Sequence, residues 1–184
     1  MNGNKKRSLR FFLNILVLIT LIVIDQMSKY LVVINLKDSA PIKIIDGVFE
    51  LHYLENRGAA FGMLQNQKVF FIIIATVMLL AIFYVLVRLP ISRKYTLLDC
   101  CLILIAAGAV GNMIDRVMNN YVVDFFYFSL IDFPIFNMAD IYVTISCIIL
   151  VLAVLFYYKE SDFAFLKKGY INEDEVIDGD SKEN

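Results

Sequence analysis

Apolar residues run long enough to sit in lipid over four stretches of the chain, about 11–36, 69–87, 95–115 and 135–158. Each is near the ~20 residues that a bilayer-spanning helix requires. The polar interruptions are few. In the first stretch, Asp25-Gln26-Met27-Ser28-Lys29 places Asp25 and Lys29 four apart, on one helical face. The second, with only Thr76 and Tyr84 as polar side chains, carries no chemistry. The third closes on Gly108-Ala109-Val110-Gly111-Asn112-Met113-Ile114-Asp115-Arg116, and the fourth opens on Phe136-Asn137-Met138-Ala139-Asp140.

Between the first two stretches the period changes. Ile42–Ile45, then Asp46-Gly47, then 48–54 with Phe49, Leu51 and Tyr53 alternating with Glu50 and His52, predicts a β-hairpin with a type I′ turn. So small a sheet is not stable alone in water, so residues 37–67 should rest on the spans or the membrane surface. Gly58 and Gly62, four apart among small residues, let backbones approach closely and bring Asn56 with them to the membrane edge. The aromatic run Phe125-Phe126-Tyr127-Phe128 suits the bilayer interface.

Composition agrees with this pattern. The 184 residues are 60% hydrophobic and 19% charged, whereas soluble domains carry about 25% charged residues. This is a membrane α-protein, a single integral domain over 1–158. From Lys159 a tail rich in acids (Glu173, Asp174, Glu175, Asp178, Asp180, Glu183) reads as solvated and disordered over 159–184. No basic patch with interleaved aromatics suggests nucleic acid. Cys100, Cys101 and Cys147 form no disulfide framework, and a single His52 argues against a metal site or a Ser-His-Asp triad. The apolar run after Lys5, Lys6, Arg7 and Arg10 exceeds the about 7–15 residues of a signal-peptide core, so it reads as a retained span.

With four spans, those N-terminal cations, then Arg88, Arg93 and Lys94, then Lys159, Lys167 and Lys168 fall on one side, predicted cytoplasmic with both termini. Asn56, Asp115, Asp124 and Asp140 then gather at the outer boundary. A carboxylate within a span costs about 2.5–3.5 kcal/mol on insertion scales, which makes Asp115 and Asp140 candidates for chemistry. Gly108, Gly111, Asn112 and Asp115 form one helical stripe, and Asn137, Asp140 and Thr144 a second. Two close carboxyls of low dielectric share a proton, one taking a proton from water and the other donating to a peptide carbonyl. Asp115 and Asp140 are the expected pair, with Asn112 orienting Asp115 and Arg116 anchoring a headgroup or a loop carbonyl. Either acid alone also reads as a helix cap.

The ordered set of Asp25–Lys29, Asn56-Arg57-Gly58-Ala59-Ala60-Phe61, Gly111–Arg116, Val122-Val123-Asp124-Phe125 and Phe136–Asp140 resembles the bacterial lipoprotein signal peptidases, the type II signal peptidases. The resemblance implies four transmembrane helices, an extracytoplasmic β-cradle over about 37–67 and a short interfacial helix near Phe125–Phe128. It implies an aspartic endopeptidase of the bacterial cytoplasmic membrane, free of metal and cofactor, working among membrane lipids. Its substrates would be diacylglyceryl-modified prolipoproteins, cut before the lipidated cysteine, and globomycin-like cyclic peptides would inhibit it. Asp115 and Asp140 would be catalytic; Asn56, Gly58, Asn112, Arg116 and Asn137 would line the site, and Asp25, Lys29 and Asp124 would support it. Ser28 stands where many members have Thr, and no Trp precedes Phe133-Pro134. Two other classes fit the bulk pattern. A cation-coupled transporter would need a polar path across the bilayer, and a non-enzymatic subunit would tolerate loss of Asp115. Intramembrane proteases of the Gly-x-Gly-Asp type are disfavoured because that string is absent.

Overall fold

The computed structural model describes residues 3–58 and 64–167. Ala59 to Phe61 of the second motif, Gly62, Lys168 and the acidic end of the tail lie outside the described residues. Four helices are long and apolar enough to cross a membrane: α1 (Gly3–Leu36), α2 (Lys68–Arg88), α3 (Thr96–Asn119) and α4 (Met138–Phe156). At 1.5 Å per residue α1 is about 50 Å long, so its ends project beyond a hydrocarbon core of about 30 Å.

α3 is the central element. The other three helices all pack on it, and its small residues Ala106, Ala107, Gly108 and Gly111 are buried. Gly108 lies against the Ala139 carbonyl and the Val143 side chain, and Gly111 lies against the Asp25 carboxylate. A β-carbon at either position would collide with those atoms, so the absent side chains set how closely α4 and α1 approach α3. α2 contributes little to the interior, with Ile82 its one buried residue.

Three strands make an antiparallel sheet in the order β1 (Ile42–Ile45), β2 (Phe49–Asn56), β3 (Val122–Tyr127). The hairpin forms at Asp46-Gly47 as expected, but with a different turn. Only Gly47 has positive φ (71°), whereas type I′ needs it at two residues. The Val48 N–H closes the turn on the Ile45 carbonyl at 2.9 Å, and the register shifts between Lys43 and Ile45.

The aromatic run corrects the expectation of a helix near Phe125–Phe128. Residues 122–127 are a strand, because β2 offers an open edge that pairs with it from Asn56↔Val122 to Glu50↔Tyr127. A single 3₁₀ turn, Ser129–Ile131, follows it. The chain beyond α4 also differs from the expected free tail in its first residues. Glu160–Leu166 form a 3₁₀ turn that buries Phe165 against Tyr95, which itself stacks on Tyr158, with Lys94 Nζ on Asp162 at 2.5 Å. Arg88 fastens this turn by donating to the Phe165 and Lys167 carbonyls.

Candidate active site

The candidate acids Asp25, Asp115, Asp124 and Asp140 come together where α1, α3, α4 and β3 meet. α1 contributes Asp25 and Lys29, both buried, with Lys29 Nζ 2.9 Å from Asp25 Oδ2. The pairing expected from their spacing is present, and it extends. Lys29 also reaches Asp115 Oδ2 at 3.0 Å and donates to Asn112 Oδ1 at 3.0 Å. Asp25 Oδ1 accepts the Ala139 N–H at the start of α4, 3.0 Å away.

Asp115 is fully engaged. Besides Lys29, it accepts from Gln26 Nε2 at 3.1 Å and from the Val123 N–H at 3.2 Å. That last bond holds β3 and places the next residue, Asp124. Among the described residues no cation pairs with the Asp124 carboxylate; it accepts from Asn56 Nδ2 at 2.7 Å and Asn137 Nδ2 at 2.6 Å, and it is 1% exposed. Burial, then the charge of Asp140, pushes its pKa up to about 7.

Asp140 arrives through the backbone. The segment entering α4 pairs with β3: the Phe125 and Phe126 N–H groups donate to the Phe136 carbonyl, and the Phe136 N–H returns to Phe126. Asn137 then caps α4 in a capping box with Asp140, each side chain accepting the other's backbone N–H at 3.1 Å. The helix-cap reading of Asp140 is therefore correct, but it does not exhaust the residue. Asp140 Oδ1 also accepts from Asn112 Nδ2 at 2.8 Å, and the side chain lines a cavity of about 240 Å³ between α2 and α4. Phe71, Ala75 and Met78 wall that groove on one side and Val143 on the other, with Gly108 in its floor.

Asn137 connects the two acids. Its side-chain amide holds Asp124 while its backbone N–H and side-chain oxygen hold Asp140. Arg116 reaches a loop carbonyl, one of its expected partners, donating to Gly58 O at 3.2 Å with its guanidinium 4.5 Å from the Phe71 ring centre. Gly58 is held in turn by its N–H on Asn56 Oδ1, 2.9 Å away. Sequence reasoning missed Gln26, which bridges Asp25, Gly111 O and Asp115; a second polar residue beside Asp25 in an apolar run was the signal. It also missed Phe71, for which an apolar span gave none. His52 contacts Glu50 and Tyr127 instead.

Two solved structures share this architecture, each described as a bacterial membrane enzyme determined by the in meso method. One is 30% identical with a TM-score of 0.69, covering 86% of this chain and 94% of its own. The other is 34% identical with a TM-score of 0.67, covering 79% and 94%. The class is thus an integral membrane enzyme. The family model described as signal peptidase (SPase) II matches residues 17–156. Lipoprotein signal peptidases of Clostridioides difficile (strain 630) and Streptococcus thermophilus (strain CNRZ 1066) are 46% and 47% identical, over 81% and 73% of this chain and 99% and 87% of theirs. This chain belongs to the signal peptidase II family.

Proposed function

We propose that the protein removes signal peptides from prolipoproteins, cutting before a diacylglyceryl-modified cysteine, and that it does so as an aspartic endopeptidase with Asp124 and Asp140 as the working pair. One observation carries the choice of acids: Asn137 hydrogen-bonds both Asp124 and Asp140, while Asp115 is ion-paired to Lys29. In this reading Asp115 passes from the reacting pair to a positioning role, holding Lys29 and the Val123 N–H so that Asp124 faces Asp140. Asn56, Asn112, Asn137, Gly58 and Arg116 line the site, and Asp25 and Lys29 support it.

The reaction needs no more than these groups. Asp140, open to the groove, takes a proton from water as the water oxygen attacks the scissile carbonyl carbon. Asp124, carrying the shared proton, donates it to the carbonyl oxygen, giving a tetrahedral diol. Collapse breaks the C–N bond, and a proton passes to the departing cysteine nitrogen. The apolar groove between α2 and α4 takes signal-peptide residues from the lipid side, and globomycin-like cyclic peptides would compete for it. The acids lie at the end of the bundle away from Arg10, Arg88 and Lys94, and this separation supports a site at the outer leaflet of the bacterial cytoplasmic membrane with both termini inside.

The test is cleavage of a synthetic prolipoprotein peptide by purified protein with a chelator present. The diacylglyceryl peptide should be cut at the cysteine, and its unlipidated twin at a rate lower by ~10-fold or more. Equal cutting of both would remove lipid recognition from the reading, and no cutting of either would sink it. The rate should also fall with rising pH. The Asp124 carboxyl, raised to about 7 from the ordinary 3.8, holds its proton below that value and loses it above. The donor form then drops about tenfold per pH unit on the alkaline side; a rate flat from pH 6 to 9 would contradict Asp124 as donor.

A further inference from the structure

At the opposite end of the bundle lies a larger cavity, about 590 Å³, unconnected with the acids. α1 and α2 both pack on α3 but share little surface with each other, and the gap between them stays open with buried Ile103 of α3 as its floor. Its walls are apolar: Phe11, Ile15 and Leu18 from α1, and Phe83, Leu86 and Val87 from α2. The polar lining is Asn4, Arg7 and Ser8 at the rim, with Arg10 and Asn14 one to two turns further along α1. Arg10 fixes the closed end by donating to the Leu86, Leu89 and Pro90 carbonyls at 3.2, 2.9 and 3.1 Å, so α2 terminates on α1 there. Asn14 donates to Asp99 at 2.9 Å beside it. Among the described residues that line the cavity, the charged side chains are Arg7 and Arg10, both cationic.

We infer that this groove holds one anionic phospholipid of the leaflet opposite the site, an acyl chain lying along Phe11, Leu18 and Val87 and the headgroup phosphate at Arg7. The volume falls within the about 300–1,000 Å³ of small-molecule sites. Basic pockets between spans at this side of a membrane suit anionic headgroups, each cation adding about fivefold to binding. A second copy of this chain would bring its own basic α1 end against the same charges. An acidic soluble segment would meet the rim but leave the apolar walls bare. An anionic lipid matches both the rim and the walls.

The test uses the full chain, purified in detergent, stripped of lipid, then given dioleoylphosphatidylglycerol or dioleoylphosphatidylcholine at equal concentration. Native mass spectrometry reads the bound lipid. The phosphatidylglycerol adduct should be retained about fivefold or more over phosphatidylcholine. Arg7→Gln should abolish that preference, and Val87→Trp, which fills the groove, should reduce both adducts; Leu18→Trp replaces it if that variant does not fold. Peptide cleavage in detergent by Arg7→Gln should match the parent, since the acids lie at the other end. Equal retention of the two lipids, a preference that survives Arg7→Gln, or adducts that survive groove filling would each overturn the assignment. So would a dimer that groove filling abolishes.

Discussion

Asp124→Asn and Asp140→Asn should each lower cleavage of the lipidated peptide by ~10³-fold or more while leaving the thermal midpoint near the parent's. Removal of an acid or base from a proton-transfer step takes away about 10²–10⁴-fold, and here neither member substitutes for the other. Both replacements keep shape and most contacts. An amide at 124 can still accept from one of Asn56 and Asn137, and an amide at 140 can still accept from Asn112. Asp115→Asn should behave differently. It weakens the Lys29 contact and the bond to the Val123 N–H, so its loss of activity should come with a lowered midpoint. The reverse pattern, with Asp124→Asn active and Asp115→Asn dead at an unchanged midpoint, would return the reacting role to Asp115.

Lys29→Met should produce the largest loss of stability. Lys29 is 3% exposed and, alone among the described residues, sets a positive charge between Asp25 and Asp115, themselves 0% and 3% exposed. Removing one partner of a buried pair costs about 3–5 kcal/mol, because the remaining charge stays in place without compensation. In this instance two carboxylates remain, and Asn112 Oδ1 loses one of its two donors, keeping only Asn137 Nδ2. For a chain of this size the midpoint in detergent should fall on the order of 10 °C. A shift within the error of the melt would show that the acids are screened by something other than Lys29.

The parts of this molecule that were legible in the sequence are those fixed by local spacing. Four helices follow from apolar run length. The Asp25–Lys29 contact follows from a four-residue step, and the Asn137–Asp140 box from a three-residue one. What stayed hidden depends on partners distant in the chain. Val122–Tyr127 is a strand because β2, some seventy residues earlier, leaves an edge for it; its aromatics by themselves suit a helix or a strand equally. The same nonlocality bears on Asp124, which the sequence names only as a supporting residue and which takes a reacting role in the reading proposed above. The helical stripe drew attention to Asp115, which has an Asn three positions before it as Asp140 does, and nothing in that spacing reveals that Lys29 occupies its carboxylate. Hydropathy likewise marks where α1 meets lipid rather than where the helix begins, since Gly3–Arg10 is helical yet polar.

The backbone bonds between Phe126 and Phe136 tie the surface sheet to the first turn of α4. The sheet and the helical bundle are thus joined by backbone bonds beside the acids, and separating them should remove the support of Asp140. Assays and inhibitor screens on this protein have to keep the whole chain in detergent or bilayer.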